Sequence, residues 1–484
     1  MFRKLSAKIK SIPEGVKASV AYTACSILQR CLSMVTMPLF TRILTQEQYG
    51  QFTLYTTWMN ILTIFITLNL AYGSFPKAMV RFEKDRTGYV AAVQNITVLL
   101  GGIFLLLYLP LQNLWNPILD LPTPIVLLMV GEMIFQCALL CWYGQRRFEN
   151  KYKSVVFVTL AVAVTAPLLA FILVSCSEDK GYARIMGYSF VNIAVGLIFF
   201  VTALIRGKGG VKKEYWKYAL CFNIPLIPYY LSQVVFNQSD IIMIEHLSGA
   251  HSTDNVAMYG VAYNLATLMT FVLNSINGSY VPWFYGKIKE KKGEDNRPLA
   301  NSIAILMAFL LLAVIAVAPE LINILAADGY EAAVWVVPPV AMSILLLFYA
   351  QLFINLEFYF ERKTMLVWGS IGSAVINIVL NWLLIPVFGF VAAGYTTLAS
   401  YIVFAVANYI AVRVIAKQEE QSLDFFDIKT LILIFVIFAA LSFLAMALYN
   451  LFWIRWSIIA AVLLALVIFH KKVIAFVKSV LVRK

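Results

Sequence analysis

The chain is 484 residues long, 61% hydrophobic and 13% charged, with a mean hydropathy of +0.81 and a formal charge of +13. Soluble domains are about 45–50% apolar and about 25% charged, so this composition excludes a globular protein, and equally a disordered tail, a collagen-like rod and a small disulfide scaffold. What remains is an all-α polytopic membrane protein; at about 20 residues per span, only short loops are left and no large extramembrane domain fits.

Residues 1–18 form a basic N-terminal segment. The first apolar run, 19–41, carries Gln29 and Arg30 and lacks a small-residue cleavage site, so it reads as a retained span and not as a signal peptide. Further helix-length windows fall at 51–73, 90–110, 123–143, 154–175, 183–205, 218–243, 256–281, 299–318, 333–356, 365–386, 390–412, 430–449 and 454–474, giving fourteen spans. Breaks such as Lys84–Gly88, Arg206–Gly210 and Lys289–Asp295 read as solvated loops.

The basic residues test this count. Of 38 Lys and Arg, 33 lie in the two termini and the even-numbered loops; the odd-numbered loops hold only Arg42, Lys180, Arg184 and Arg455, and Arg30 lies within span 1. The alternation never inverts, so the positive-inside rule puts both termini in the cytoplasm. The excess charge thus reports topology and contact with a lipid bilayer, with no nucleic acid required.

A repeat is visible along the chain. Tyr49-Gly50 with Tyr55 in span 2 finds Tyr259-Gly260 with Tyr263 in span 8; Trp142-Tyr143-Gly144-Gln145-Arg146-Arg147 resembles Phe358-Tyr359-Phe360-Glu361-Arg362-Lys363; and Gly187-Tyr188-Ser189 resembles Gly394-Tyr395-Thr396. The pattern divides the chain into an N-lobe at 19–210, a C-lobe at 211–416, and an appended pair of spans with a basic tail at 417–484. Two six-helix copies facing the same way are a transporter architecture, with substrate held between halves that open alternately.

Polar groups inside such spans are costly, about 2.5–3.5 kcal/mol for a charge at the bilayer centre on insertion scales, and normally face a cavity or a partner. Arg30 and Glu132 lie about midway in spans 1 and 4. They read as a structural pair, or as an anion site at Arg30 and a protonatable switch at Glu132. Asp240, in span 7, suits either a headgroup-level carboxylate or a cavity group. Glu357, near Glu361-Arg362-Lys363, reads as an interfacial ion pair. The amides and tyrosines of spans 2, 7 and 8, among them Asn237, Tyr263, Asn264 and Asn274, suit either interhelical hydrogen bonding or a sugar-lined lumen. Pro225 and Pro228, in Ile224-Pro225-Leu226-Ile227-Pro228-Tyr229-Tyr230, mark a gate, a hinge or a static kink.

Six cysteines and three histidines form no metal or disulfide pattern, and they read as packing residues. There is no phosphate loop, H-E-x-x-H or G-x-S-x-G motif, so the chain reads as no enzyme; without a nucleotide-binding domain, energy must come from a proton or sodium gradient or from a partner, and no cofactor is expected.

Met37-Pro38-Leu39-Phe40-Thr41-Arg42-Ile43-Leu44-Thr45, followed by Tyr49-Gly50, resembles the opening of the Wzx-type polysaccharide-biosynthesis flippases of the multidrug/oligosaccharidyl-lipid/polysaccharide exporter superfamily. Asn237-Gln238-Ser239-Asp240-Ile241-Ile242-Met243-Ile244, with Tyr259-Gly260-Val261-Ala262-Tyr263-Asn264, is similar to that family's second-half opening, and Ile385-Pro386-Val387-Phe388-Gly389 to its hairpin between spans 11 and 12. The resemblance covers essentially the whole chain. It implies a protein of the bacterial cytoplasmic membrane that moves an undecaprenyl-diphosphate-linked oligosaccharide, such as an O-antigen or capsule repeat unit, to the outer leaflet, alongside a polysaccharide polymerase or chain-length regulator. Arg30 and Arg42 would meet the diphosphate, and Glu132 and Asp240 would couple an ion. The alternatives are a drug/ion antiporter of the same superfamily, which usually has twelve spans, and a membrane glycan polymerase or ligase, which usually carries a long outer loop.

Overall fold

The computed structural model describes residues 14–468, apart from 73, 150, 210–211, 250, 291, 361–362 and 419–424. Among the described residues every regular element is helical, and each of the fourteen apolar windows contains a helix. Ten helices among the described residues are long and apolar enough to cross a membrane. The windows at 19–41, 51–73, 218–243 and 454–474 fall short over their described residues. At the first and last, the described apolar stretches are only Cys31–Ile43 and Phe452–Leu464. The second is diluted by polar residues such as Gln51, Thr53, Thr56, Thr57 and Asn60, and the seventh, which contains a 3₁₀ turn at Ile224–Leu226, by Gln233 and Asn237-Gln238-Ser239-Asp240.

The chain forms two compact units, 1–238 and 239–484. Unit 1 holds α1 (Glu14–Ile43), α2 (Gln46–Thr67), the short α3 (Phe75–Arg81), α4 (Arg86–Tyr108), α5 (Gln112–Leu119), α6 (Thr123–Phe148), α7 (Tyr152–Cys176), α8 (Lys180–Arg206), α9 (Lys213–Asn223) and the first part of α10 (Ile227–Leu247). Three of these helices start on side-chain caps. Thr45 and Gln48 form a reciprocal capping box on α2, Asp85 accepts from the Gly88 N–H at α4, and Asp179 accepts from Tyr182 at α8. Leu68 ends α2 in the left-handed region at φ 48°. In α2 the hydroxyls of Thr53, Thr63 and Thr67 donate to the carbonyls of Tyr49, Met59 and Thr63 one turn back, which lets a polar helix lie among apolar ones. Helix α8 is central and packs against α6 and α7. A Cβ at Gly187 would lie 2.2 Å from the Ala170 Cα, and one at Gly196 would lie 2.3 Å from the Phe135 carbonyl oxygen, so these contacts require glycine.

Unit 2 holds the rest of α10, then α11 (Ser252–Thr267), α12 (Met269–Lys289), α13 (Asn296–Ala316), α14 (Ala318–Leu325), α15 (Val337–Tyr359), α16 (Lys363–Phe388), α17 (Val391–Gln418), α18 (Ile428–Ala447) and α19 (Phe452–Ile468). Its core is α15, 83% buried over its apolar window and packed against α17. The last two helices belong to this unit. The Tyr349 hydroxyl donates to the Leu431 carbonyl at 3.0 Å, Tyr449 donates to Ile315 at 3.0 Å, and Arg455 forms an ion pair with Glu320, to which the Trp456 ring N–H also donates at 2.9 Å. Apolar side chains such as Leu106, Phe157, Ile205, Val387 and Trp453 stand outward, as lipid-facing surfaces require.

Candidate transport site: a buried carboxylate network in each unit

In unit 1 the Glu132 carboxylate sits on α6, 2% exposed. Its Oε2 accepts from the Tyr55 hydroxyl of α2 at 2.7 Å and the Ser189 hydroxyl of α8 at 2.6 Å, and its Oε1 accepts from the Asn192 amide at 2.7 Å. Tyr55 and Ser189 lie 3.0 Å apart, closing the ring. Three helices therefore converge on one acceptor-only group through neutral donors. Glu132 lies within the helix that the sequence assigns to span 4, and its partners there are a phenol, a hydroxyl and an amide. The side chain of Arg30, the other half of the expected pair, lies outside the described residues.

Unit 2 builds a second network around Asp240, also 2% exposed, on α10. Its Oδ2 accepts from the Tyr259 hydroxyl of α11 at 2.6 Å and from the Thr397 hydroxyl of α17, and its Oδ1 accepts from the Asn381 amide of α16 at 2.6 Å. The Asn381 side-chain oxygen Oδ1 accepts from the Thr396 hydroxyl, and Asn377 Oδ1 accepts from Ser239 at 2.8 Å and from the Asn381 amide at 3.2 Å. Tyr263 stacks on Tyr259, centroids 5.8 Å apart. The Asp240 carboxylate is thus enclosed by side chains of four helices, α10, α11, α16 and α17.

The remaining expected site residues are dispersed. Arg42 is exposed in the last turn of α1, and Asn264 and Asn274 are exposed on α11 and α12. The side chain of Asn237 lies outside the described ones. Pro225 sits in the 3₁₀ turn between α9 and α10 and Pro228 in the first turn of α10, both exposed. Glu357 is fully buried on α15.

Sequence reasoning missed two features. Asn377 and Asn381, spaced one helical turn apart inside an apolar window, join Asp240 in the second network, and that spacing was the signal that could have found them. Arg184, counted with an outer loop, is instead 5% exposed within α8, its guanidinium carbon 3.9 Å from the Phe52 ring centroid and 4.5 Å from those of Phe40 and Tyr49.

These networks hang on helices whose order has known counterparts. A profile of the family described as "Polysaccharide biosynthesis protein" matches residues 16–286, more than half of the chain. The protein belongs to this family. Among curated relatives, "Lsg locus putative protein 1" of Haemophilus influenzae is 25% identical over 290 residues, covering 57% of this chain and 67% of the relative. Among solved structures, "Lipid II flippase MurJ, inward closed conformation" superposes with a TM-score of 0.70 at 12% identity, over 95% of this chain and all of MurJ. An inward-facing MATE-family multidrug resistance transporter of the MOP superfamily gives 0.62 at 13% identity, over 83% of this chain and 98% of its own. At such identities the likeness is one of fold. The protein is thus a polytopic membrane member of the polysaccharide biosynthesis family on the fold that MurJ and MATE proteins share.

Proposed function

We propose that the protein is a flippase that carries an undecaprenyl-diphosphate-linked oligosaccharide from the cytoplasmic to the outer leaflet of the bacterial inner membrane, by alternating access of its two units and with ion coupling. Membership in the polysaccharide biosynthesis family on a flippase and exporter fold carries this reading; MurJ is titled a lipid II flippase, and the same handling of a lipid-linked glycan is inferred here for this chain. Both termini face the cytoplasm on the basic-loop alternation, and a polymerase or chain-length regulator would take the product. For coupling, a buried carboxylate that rests on hydroxyls and amides can exchange a proton, and around Asp240 the carboxylate, amide and hydroxyl oxygens are the hard donors a sodium ion takes. Arg30 and Arg42 remain the proposed contacts for the diphosphate.

Deleting the gene should abolish the surface glycan and leave lipid-linked repeat units on the cytoplasmic face. Normal surface glycan, with the deletion strain sensitised to cationic drugs, would put the antiporter reading in its place. In complementation, Glu132→Gln and Asp240→Asn should each lower glycan export at least about tenfold at unchanged protein level, since each keeps the shape and removes the exchangeable charge. Export at the wild-type rate by both variants would remove the two carboxylates from coupling.

A further inference from the structure

Unit 1 contains a polar cavity that shares no residue with the Glu132 network. It encloses about 180 Å³ between the start of α4, the last turns of α6 and α8, and Glu149 and Lys151 beyond α6. The helices meet this closely because of Gly207, where a Cβ would lie 2.6 Å from the Ala91 Cβ and 2.7 Å from the Thr87 carbonyl oxygen. Trp142 and Phe199, stacked with centroids 4.1 Å apart, form one wall.

Gln94 lines the cavity while 1% exposed, and neither its amide nitrogen nor its amide oxygen has a hydrogen-bond partner in the structure. Buried amides are rarely left so, because both atoms have lost water without replacement. Charge points the same way: the lining holds Arg146, Lys151 and Arg206 against the single carboxylate of Glu149. Glu149 already accepts from Arg146 and Lys151, both at 2.8 Å, which leaves Arg206 without an acidic partner among the described residues. Outside the cavity, Ile198, Val201 and Ile205 stand exposed along one face of α8, an apolar lane leading away from Arg206.

We propose that this cavity holds the head group of an anionic phospholipid of the phosphatidylglycerol type. Arg206, with Arg146 and Lys151, receives the phosphodiester; the Gln94 amide donates to and accepts from the glycerol hydroxyls; and an acyl chain follows the α8 lane. Size separates this ligand from the transported one, since the cavity is smaller than the roughly 300–1,000 Å³ of ordinary ligand pockets and has no room for an oligosaccharide diphosphate. An ethanolamine head group is disfavoured because its ammonium would enter a lining already cationic. Basic pockets between helices at the cytoplasmic membrane face recur as lipid head-group sites. The proposal rests on the membrane orientation given above and not on the transported substrate, so a failed glycan-export test would leave it standing.

The test uses the full-length protein purified in detergent, with native mass spectrometry of adducts formed with phosphatidylglycerol, phosphatidylethanolamine or undecaprenyl phosphate. The wild type should retain phosphatidylglycerol about tenfold more tightly than phosphatidylethanolamine, and Arg206→Gln, an exposed and mild change, should erase most of that preference. Gln94→Leu should weaken phosphatidylglycerol binding by at least about fivefold. An unchanged preference in Arg206→Gln, or none in the wild type, overturns the proposal. Undecaprenyl phosphate binding as well as phosphatidylglycerol, and lost in the same variants, would assign the cavity to the carrier lipid and overturn it too. Displacement of phosphatidylglycerol by millimolar inorganic phosphate would reduce the site to a simple anion pocket.

Discussion

Arg184 shows how a single residue's surroundings can reverse what its sequence position suggests. Its charge is buried against Phe40, Tyr49 and Phe52, and its Nε and Nη1 have no hydrogen-bond acceptor in the structure. A desolvated cation facing aromatic rings gains about 2 kcal/mol from their quadrupoles, and a flat guanidinium can face several rings at once, which a compact ammonium cannot. Arg184→Lys should therefore destabilise unit 1 by about 1–3 kcal/mol, read as a lower midpoint in thermal unfolding in detergent. Arg184→Met should be neutral or stabilising, because it removes the burial penalty while keeping the packing. A midpoint for Arg184→Lys equal to wild type would show that the rings contribute nothing beyond apolar contact. The sequence could not reveal this cage, since its rings come from α1 and α2 while the cation comes from α8. Glu132 was legible for the opposite reason: a lone carboxylate midway in an apolar run is conspicuous on composition alone, although its donors Tyr55, Ser189 and Asn192 come from other helices.

At the scale of the elements, α18 starts on a side-chain cap: Asp427 accepts from the Thr430 N–H at 3.2 Å and the Thr430 hydroxyl at 2.6 Å. The Thr430 hydroxyl and N–H hold its carboxyl below the usual carboxylate range. Asp427→Ala should cost about 1 kcal/mol at neutral pH. With the folded pKa depressed, that contribution is complete above the unfolded pKa of about 3.9 and is lost as pH falls through the lower folded value. Unfolding midpoints of wild type and variant should therefore differ at pH 7 and converge in acid, and a gap that persists below pH 3 would mean the cap acts through packing. The interruption at Ile224–Leu226 behaves differently. The two prolines announce it, but its anchor is tertiary: the Asn223 amide, on the last residue of α9, donates to the Ser74 hydroxyl at 2.7 Å, and Ser74 lies 3.0 Å from the Tyr89 hydroxyl. No local pattern joins residues 74, 89 and 223.

For the whole molecule, each unit carries one buried carboxylate network. Ser189 and Thr396, matched by the Gly-Tyr-Ser/Thr repeat, each join their own unit's network, whereas the tyrosines do not follow the repeat: it pairs Tyr55 with Tyr263 and Tyr49 with Tyr259, while Tyr55 binds Glu132 and Tyr259 binds Asp240. The carboxylates themselves do not follow the repeat, because one sits on the fourth window and the other on the seventh. Two separately built networks with no shared partner have a thermodynamic consequence. Glu132→Ala removes the acceptor shared by three donors in unit 1, and Asp240→Ala the acceptor shared by three in unit 2; each should cost about 2–4 kcal/mol from lost hydrogen bonds and the cavity left behind. In the double variant the two losses should add to within about 0.5 kcal/mol, as for sites without common contacts. Reversible unfolding in mixed micelles with increasing SDS measures all three. A coupling above about 1 kcal/mol would mean that the carboxylates communicate through the helices that carry them, and that each unit's network is tuned by the state of the other.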